Sequence, residues 1–265
     1  MTRQQDAMKP DYSKFTAEET AKMEEITGIP ARAMLVQTGL LPSPPASALV
    51  LDNACGGGIV AQVLFNELSP GNDLKLVCGD LEEYMVESTK GRIAKNGWNA
   101  EALVVDAQAI SFPDNHFTHA VMNFGIQVIP DQALAVKETF RVLRPGGVLG
   151  ITSWTAPGWL DSMVHGCPGF TAPPLFTSGP MATKESTTAV LAAAGFPPES
   201  VVFTPVEFTY RDDVTRFLRY MGEFFKGVLG GEAGVAYAKY MREKYGDGEF
   251  ELLWKAVVIT ATKPK

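Results

Sequence analysis

From Ala48 onward the chain alternates apolar runs of strand length with stretches of helix length, and this alternation limits the possible folds more than any other feature. The runs are Ala48 to Leu51, Leu74 to Cys78, Ala102 to Val105, His119 to Asn123, Val148 to Ser153, Val201 to Tyr210 and Lys255 to Thr262. Strands covered on both faces read as near-continuous apolar runs, so the pattern predicts βα units around a largely parallel sheet. Helices are predicted over 58–68, 82–96, 131–143 and 184–194. Val201 to Tyr210 differs by carrying alternating polar residues, which suits a sheet edge with an antiparallel return. At 265 residues this is one large α/β domain or at most two small ones.

Residues 1–46 read differently and are assigned as an N-terminal helical lid, with residues 47–265 as the core. Thr16-Ala-Glu-Glu19 is a capping-box pattern opening a helix to about Thr27. Gly28 is expected to stop that helix, Pro30 to open a second short one and Gly39 to close it, before the stiff connector Leu41-Pro-Ser-Pro-Pro45. Within the core, Gly158 to Met181 reads as a loop with one short helix, and 212–248 as a helical insertion before the last strand.

Composition narrows the partners. A net charge of −7 argues against nucleic acid, which is bound through Lys and Arg. No apolar run approaches the ~20 residues that cross a bilayer, and the polar start lacks a signal-peptide core, so no membrane association is expected. Cys55, Cys78 and Cys167 have no disulfide-framework spacing and suit reduced thiols, hence a cytoplasmic setting. A monomer or weak dimer is expected.

The sharpest local feature is Leu51-Asp-Asn-Ala-Cys-Gly-Gly-Gly-Ile-Val-Ala61, a strand ending in a glycine loop that opens a helix. Gly56, Gly58 and Ala61 match the dinucleotide fingerprint, with Asp80 at about the right distance to hold a ribose. The same string also reads as a loop for S-adenosylmethionine (SAM), in which the backbone approaches the methionine and ribose portions. The second reading is favoured because four residues, Asp52 to Cys55, separate the apolar strand from the first glycine. A carboxylate at Asp52 would suit a ligand ammonium group and be misplaced beside a pyrophosphate.

Asp80 ends the next strand and can accept from both ribose hydroxyls; Asp106 ends the one after and can take the adenine amino group, with the Ala107 N–H facing a ring nitrogen. In open α/β sheets ligands sit beyond the carboxyl ends of the strands, where the winding order reverses, so the three acids would converge on one ligand. Singly, each could equally be a helix cap or turn residue.

In this order the motifs resemble the class I SAM-dependent methyltransferases over about Ala48 to Lys263. Leu51 to Gly58 looks like the first family motif, Asp80 with Leu81 and Met85 like the ribose and adenine-edge motif, and Asp106-Ala107 like the adenine motif. Asn123-Phe-Gly-Ile-Gln127 falls where the family lines its cleft, and Arg141-Val-Leu-Arg-Pro-Gly-Gly147 looks like its late motif. Leu-Asp-Asn-Ala-Cys-Gly at 51–56, Cys-Gly-Asp-Leu at 78–81 and Gly97-Trp98 are similar to fungal secondary-metabolite enzymes of the gliotoxin bis-thiomethyltransferase kind. The resemblance implies a Rossmann-like, seven-stranded, mostly parallel sheet with an antiparallel last strand, helices on both faces and a helical cap. It also implies SAM as cofactor, held by Tyr12, Asp52, Ala54, Cys55, Gly56, Gly58, Asp80, Leu81, Met85, Asp106, Ala107, Asn123 and Phe124.

Methyl transfer is an in-line displacement, so the protein must chiefly align the nucleophile and exclude water. A thiol acceptor, with a pKa of about 8.5, needs no dedicated base; a phenol or alcohol needs one more. His165, with Asp161 second, is the best general-base candidate, because His116 lies in a turn and His119 at the far end of its strand. The acceptor pocket is expected from Phe15, Gln127, Trp154, Trp159, Met163, Phe176, Tyr220, Met221 and Phe224, although the helical spacing of the last three equally suits core packing. No metal site is indicated by the spacing of His, Cys and acids. The expected activity is methylation of a thiol or hydroxyl on a small, largely apolar secondary metabolite. The alternative is an enzyme of the same fold that binds SAM but catalyses a pericyclic or dehydrative step.

Overall fold

The computed structural model describes residues 17–69, 71–167, 169–172, 179–219, 221 and 231–265. All seven apolar runs form strands of one sheet: β1 (Leu49–Asn53), β2 (Lys75–Asp80), β3 (Ala100–Val104), β4 (Phe117–Asn123), β5 (Leu143–Ala156), β6 (Val202–Asp213) and β7 (Glu249–Thr262). Their order is β3-β2-β1-β4-β5-β7-β6. The first five run parallel, whereas β7 is antiparallel to both β5 and β6. The chain leaves β1 in one direction for β2 and β3 and in the other for β4, so the winding order reverses between β1 and β4.

Among the described residues, seven α-helices accompany the sheet: α1 (Ala17–Gln37), α2 (Ile59–Glu67), α3 (Glu83–Asn96), α4 (Gln132–Val142), α5 (Gly158–Gly166), α6 (Lys184–Ala194) and α7 (Gly231–Tyr245). Successive strand residues point to opposite faces, so Val50 and Leu51 enter different cores. Val50, Leu76 and Val121 pack with Met34 and Leu35 of α1 and Val60 and Leu64 of α2. Leu51, Val77 and Ile151 pack on the other face with Val136 of α4 and Leu191 of α6. A third cluster joins α5 and α7 to the β6–β7 ribbon through Trp159, Met163, Tyr237, Met241, Tyr210 and Trp254.

Two expectations are corrected here. Gly28 and Pro30 do not divide the N-terminal segment, because α1 runs unbroken from Ala17 to Gln37 with Pro30 inside it. Ile26, Ala31, Met34 and Leu35 are each under 5% exposed, and burial of that order outweighs the ~1 kcal/mol helix penalty of a glycine. Gly39 is where the helix closes, at φ +78°, with the Leu40 N–H donating to Leu35 O. The last strand also begins at Glu249 rather than Lys255. Its first residues alternate exposed and buried, the pattern of a ribbon wet on one face, and that obscures an apolar run.

A methyl at Gly28 would meet only Ile59 Cδ1 at 3.7 Å and Val63 Cγ2 at 3.8 Å, which is ordinary packing. Gly28→Ala should therefore raise the melting temperature by about 2–4 °C, the helix-propensity gain of ~1 kcal/mol. At Gly150 the same methyl would lie 2.6 Å from Thr38 Cγ2, so Gly150→Ala should lower it; thermal denaturation of both variants checks the pair.

Candidate functional site

The site forms where β1, β2, β3 and β4 end beside the reversal in winding. After Asn53 the chain turns through Ala54, Gly56 and Gly58, all at positive φ (59°, 53° and 86°), and α2 starts at Ile59. The left-handed conformation is open to glycine at no steric penalty, which explains why two of these three are glycines. Among the described residues, ideal Cβ atoms on Gly56 and Gly57 would meet nothing within 4 Å, so these residues leave the outer side of the loop open for a ligand. Gly79 is a glycine for a different reason: a Cβ there would sit 2.9 Å from Val105.

Asp80 ties the loop to the next strand. Its Oδ2 accepts from the Gly56 N–H at 2.8 Å and its Oδ1 from the Glu82 N–H at 3.0 Å. Asp80 thereby fixes the loop after β1 against the turn after β2. Thr89 of α3 adds a bond from Oγ1 to Gly56 O at 2.9 Å. At the end of β3, Asp106 Oδ1 accepts from the Gln108 N–H at 2.8 Å, closing a turn that leaves Ala107 buried. Leu81 is 48% exposed and Met85 half-buried on the rim.

Asp52 is fully buried, and neither carboxylate oxygen has a hydrogen-bond partner among the described residues. Its oxygen lies within 4.8 Å of the Cys55 and Cys78 sulfurs, a grouping invisible in the sequence because Cys78 arrives from β2. Burial, reinforced by the charge of Asp80, pushes the Asp52 carboxyl well above the usual carboxylate range. The Cys55 thiol is pushed up as well, by its hydrogen bond to Cys78, by burial and by Asp52. Both groups are thus held toward their neutral forms while no cation is bound beside them.

Across the reversal, Asn123 and Phe124 end β4. Thr152 of β5, which the sequence reading missed, donates from Oγ1 to Asn123 Oδ1 at 2.7 Å and accepts from the Phe124 N–H at 2.9 Å. Phe124 is held at φ 61°, and its ring stacks on Trp154 with centroids 3.9 Å apart and planes 10° apart. A non-glycine residue in that conformation costs about 1–3 kcal/mol and is typical of functional sites. Gln127 spends its amide on Trp154, accepting from the Trp154 N–H at 3.0 Å and donating to its carbonyl at 3.4 Å. It positions the tryptophan rather than presenting a side chain for an acceptor.

His165 and Asp161 lie on α5 with their side chains 70% and 76% exposed, and they interact with each other. Trp159 lies two residues before Asp161, and Met163 two residues from both Asp161 and His165; with Trp159 and Met163 facing inward, Asp161 and His165 face outward. Trp159, Met163 and Met221 are buried members of the third apolar cluster. His119 is 5% exposed at the start of β4, and burial holds its imidazole below the usual histidine range. Tyr12, Phe15, Phe176, Tyr220 and Phe224 lie outside the described residues.

Comparison with known proteins agrees with this geometry. Residues 50–147 match a family described as methyltransferase domain. Methyltransferase tpcH of Aspergillus fumigatus is 36% identical over 155 residues, covering 57% of this chain and 55% of the relative. Acetylaranotin bis-thiomethyltransferase of Aspergillus terreus is 33% identical over 171 residues, covering 62% and 58%. The chain thus spans a little over half the length of these curated relatives. Among solved structures, a geranyl diphosphate methyltransferase in complex with SAM superposes with a TM-score of 0.55 at 16% identity, covering 97% of this chain and 94% of the other. The [4+2]-cyclase SpnF superposes with a TM-score of 0.53 at 21% identity, covering 91% and 80%; at such identities the likeness is one of fold.

Residues 50–147 are thus similar to a methyltransferase domain, and the fold resembles that of a solved methyltransferase. Both curated relatives are fungal methyltransferases, matched over part of their length. The described residues fit SAM: they leave the loop open on its outer side, the acids line successive strand ends, and the Asp52 carboxyl, without a hydrogen-bond partner among them, suits a nearby cation.

Asp52 also yields a pH-dependent prediction. Its folded pKa is raised, so its favourable contribution is complete below the unfolded value near 4 and is lost as pH rises through the folded value. Asp52→Asn should raise the melting temperature of the ligand-free protein at pH 7.5, by about 2–4 °C per kcal/mol recovered. The gain should fade toward pH 4, while SAM binding weakens at neutral pH; melting curves across pH and a calorimetric titration measure the two effects.

Proposed function

We propose that the chain transfers the methyl group of SAM to a thiol or an acidic hydroxyl of a small, largely apolar secondary metabolite. The observation that carries this reading is the array of Asp52, Asp80 and Asp106 at the reversal of winding, with the Phe124–Trp154 stack beside it. The named fungal relatives support the substrate class, and the bis-thiomethyltransferase among them supports sulfur as one acceptor atom.

When bound, SAM supplies an electrophilic methyl carbon on a sulfonium centre. Asp80 and Asp106 bind the nucleoside through hydroxyl and amino groups, and Asp52 with Asp80 lowers the potential at the methionine end. Phe124 and Trp154 offer an apolar face that aligns a flat or hydrophobic acceptor and keeps water from it. The protein's contribution is then alignment of two reactants, which is worth several orders of magnitude in rate. None of the three histidines stands at the strand ends: His116 stacks on Phe112, His119 is buried at the opposite end and His165 is exposed. That arrangement favours acceptors that ionise readily near neutral pH over simple alcohols.

The test is product mass analysis after incubation with SAM and a panel of thiols, phenols and alcohols. Products heavier by one methyl, formed in step with S-adenosylhomocysteine, are expected for thiols and acidic phenols. Turnover of an acceptor without S-adenosylhomocysteine would instead establish a non-methylating reaction. With a competent acceptor, Trp154→Ala should raise KM about tenfold or more and leave SAM affinity unchanged. His165→Ala should leave kcat within about twofold, where loss of a general base would remove about 10²-fold or more.

A further inference from the structure

Arg92, on α3, is not part of any recognised motif of the chain, yet it joins three elements of the site. Its Nη1 donates to Gly57 O at 2.8 Å, and its Nη2 donates to Gln62 Oε1 of α2 at 2.7 Å. Nη2 also lies 2.6 Å from Glu24 Oε1 of α1. The ion pair is partly sheltered, with 25% of the arginine and 16% of the glutamate side chain exposed. Thr89, three residues earlier on the same helical face, holds the preceding carbonyl, Gly56 O, at 2.9 Å. Two consecutive loop carbonyls are therefore drawn toward α3.

A trans peptide points its C=O and N–H in opposite directions. Drawing Gly56 O toward α3 turns the Gly57 N–H away from it. Drawing Gly57 O the same way orients the Gly58 N–H, which donates back to Cys55 O at 3.0 Å and closes the turn. The orientation of the loop's amides thus depends on a guanidinium that is also paired with the N-terminal helix. Asn123 Nδ2 makes a second tie to that helix, to Thr27 O at 3.4 Å, on the other side of the cleft.

We infer that Arg92 is a positioning residue through which α1 sets the glycine loop for SAM, with Glu24 as the contact that makes loop geometry depend on docking of α1. This rests on the reading of the loop as a SAM site. Only an arginine can serve all three acceptors at once, because its planar fork presents separate N–H groups whereas a lysine is a point charge. Glu24 acts on SAM only through Arg92, so its influence should vanish when the arginine is gone.

The experiment is a double-mutant cycle on the full chain with Glu24→Gln, Arg92→Met and the combination, reading SAM dissociation constants by calorimetry and amide hydrogen exchange over residues 55–60. Arg92→Lys is the conservative variant. Glu24→Gln is expected to raise the SAM Kd about threefold to tenfold, Arg92→Met about tenfold or more, and the double variant no more than Arg92→Met alone. Arg92→Lys should recover only part of the affinity. Exchange in the loop should quicken in Glu24→Gln although the substitution lies more than thirty residues away. Additive effects on Kd, or unchanged affinity and loop exchange in Glu24→Gln, would overturn the inference. If Arg92→Met fails to fold, Glu24→Gln and Arg92→Lys decide the matter by the same two readouts. Failure of the wild-type chain to bind SAM would instead refute the functional reading.

Discussion

The Asp80 carboxylate is the constraint on which the site depends. One oxygen holds the Gly56 N–H and the other the Glu82 N–H, so a single side chain fixes the loop after β1 against the turn after β2. Charge-assisted bonds of this kind are about twice as strong as neutral ones, and here they hold backbone at positive φ where the loop has little intrinsic preference to stay. The remaining site follows from that clamp: the open outer side of the loop, the rim of Leu81 and Met85, and the start of α2 at Ile59.

Below the clamp, Asp52 shows the opposite economy. It is completely buried without a hydrogen-bond partner among the described residues, and a stable scaffold of this kind would place a neutral or apolar side chain there. The mismatch makes sense for a cleft that receives a cation. Phe124 repeats the theme on the other side of the reversal, held in a strained conformation by Thr152 and by its stack on Trp154. Both features oppose stability and sit at the ends of β1 and β4, where the fold concentrates ligand contacts.

The sheet was legible because strands covered on both faces leave continuous apolar runs, and the three acids were legible because each ends such a run. Boundaries were lost where two patterns compete: Glu249 to Leu253 alternates wet and dry, and Gly28 and Pro30 mimic a break that tertiary burial of α1 overrides. The exposure of His165 was not readable without the helix phase, since Trp159 and Met163 facing inward oblige it to face solvent. The contacts that Arg92, Thr152 and Cys78 make had no readable signal. Each acts through a contact that only the folded sheet and its helices create, and the Arg92–Glu24 pair joins residues 68 positions apart along the chain.

The claim that the strand-end acids and glycine loop form a SAM site is tested most directly by calorimetric titration of SAM and of NADPH into the wild-type chain and Asp80→Ala. Saturable one-to-one binding of SAM alone, weakened about tenfold or more by loss of Asp80, is the expected result. NADPH binding in place of SAM, or equal SAM affinity in the two proteins, would contradict it.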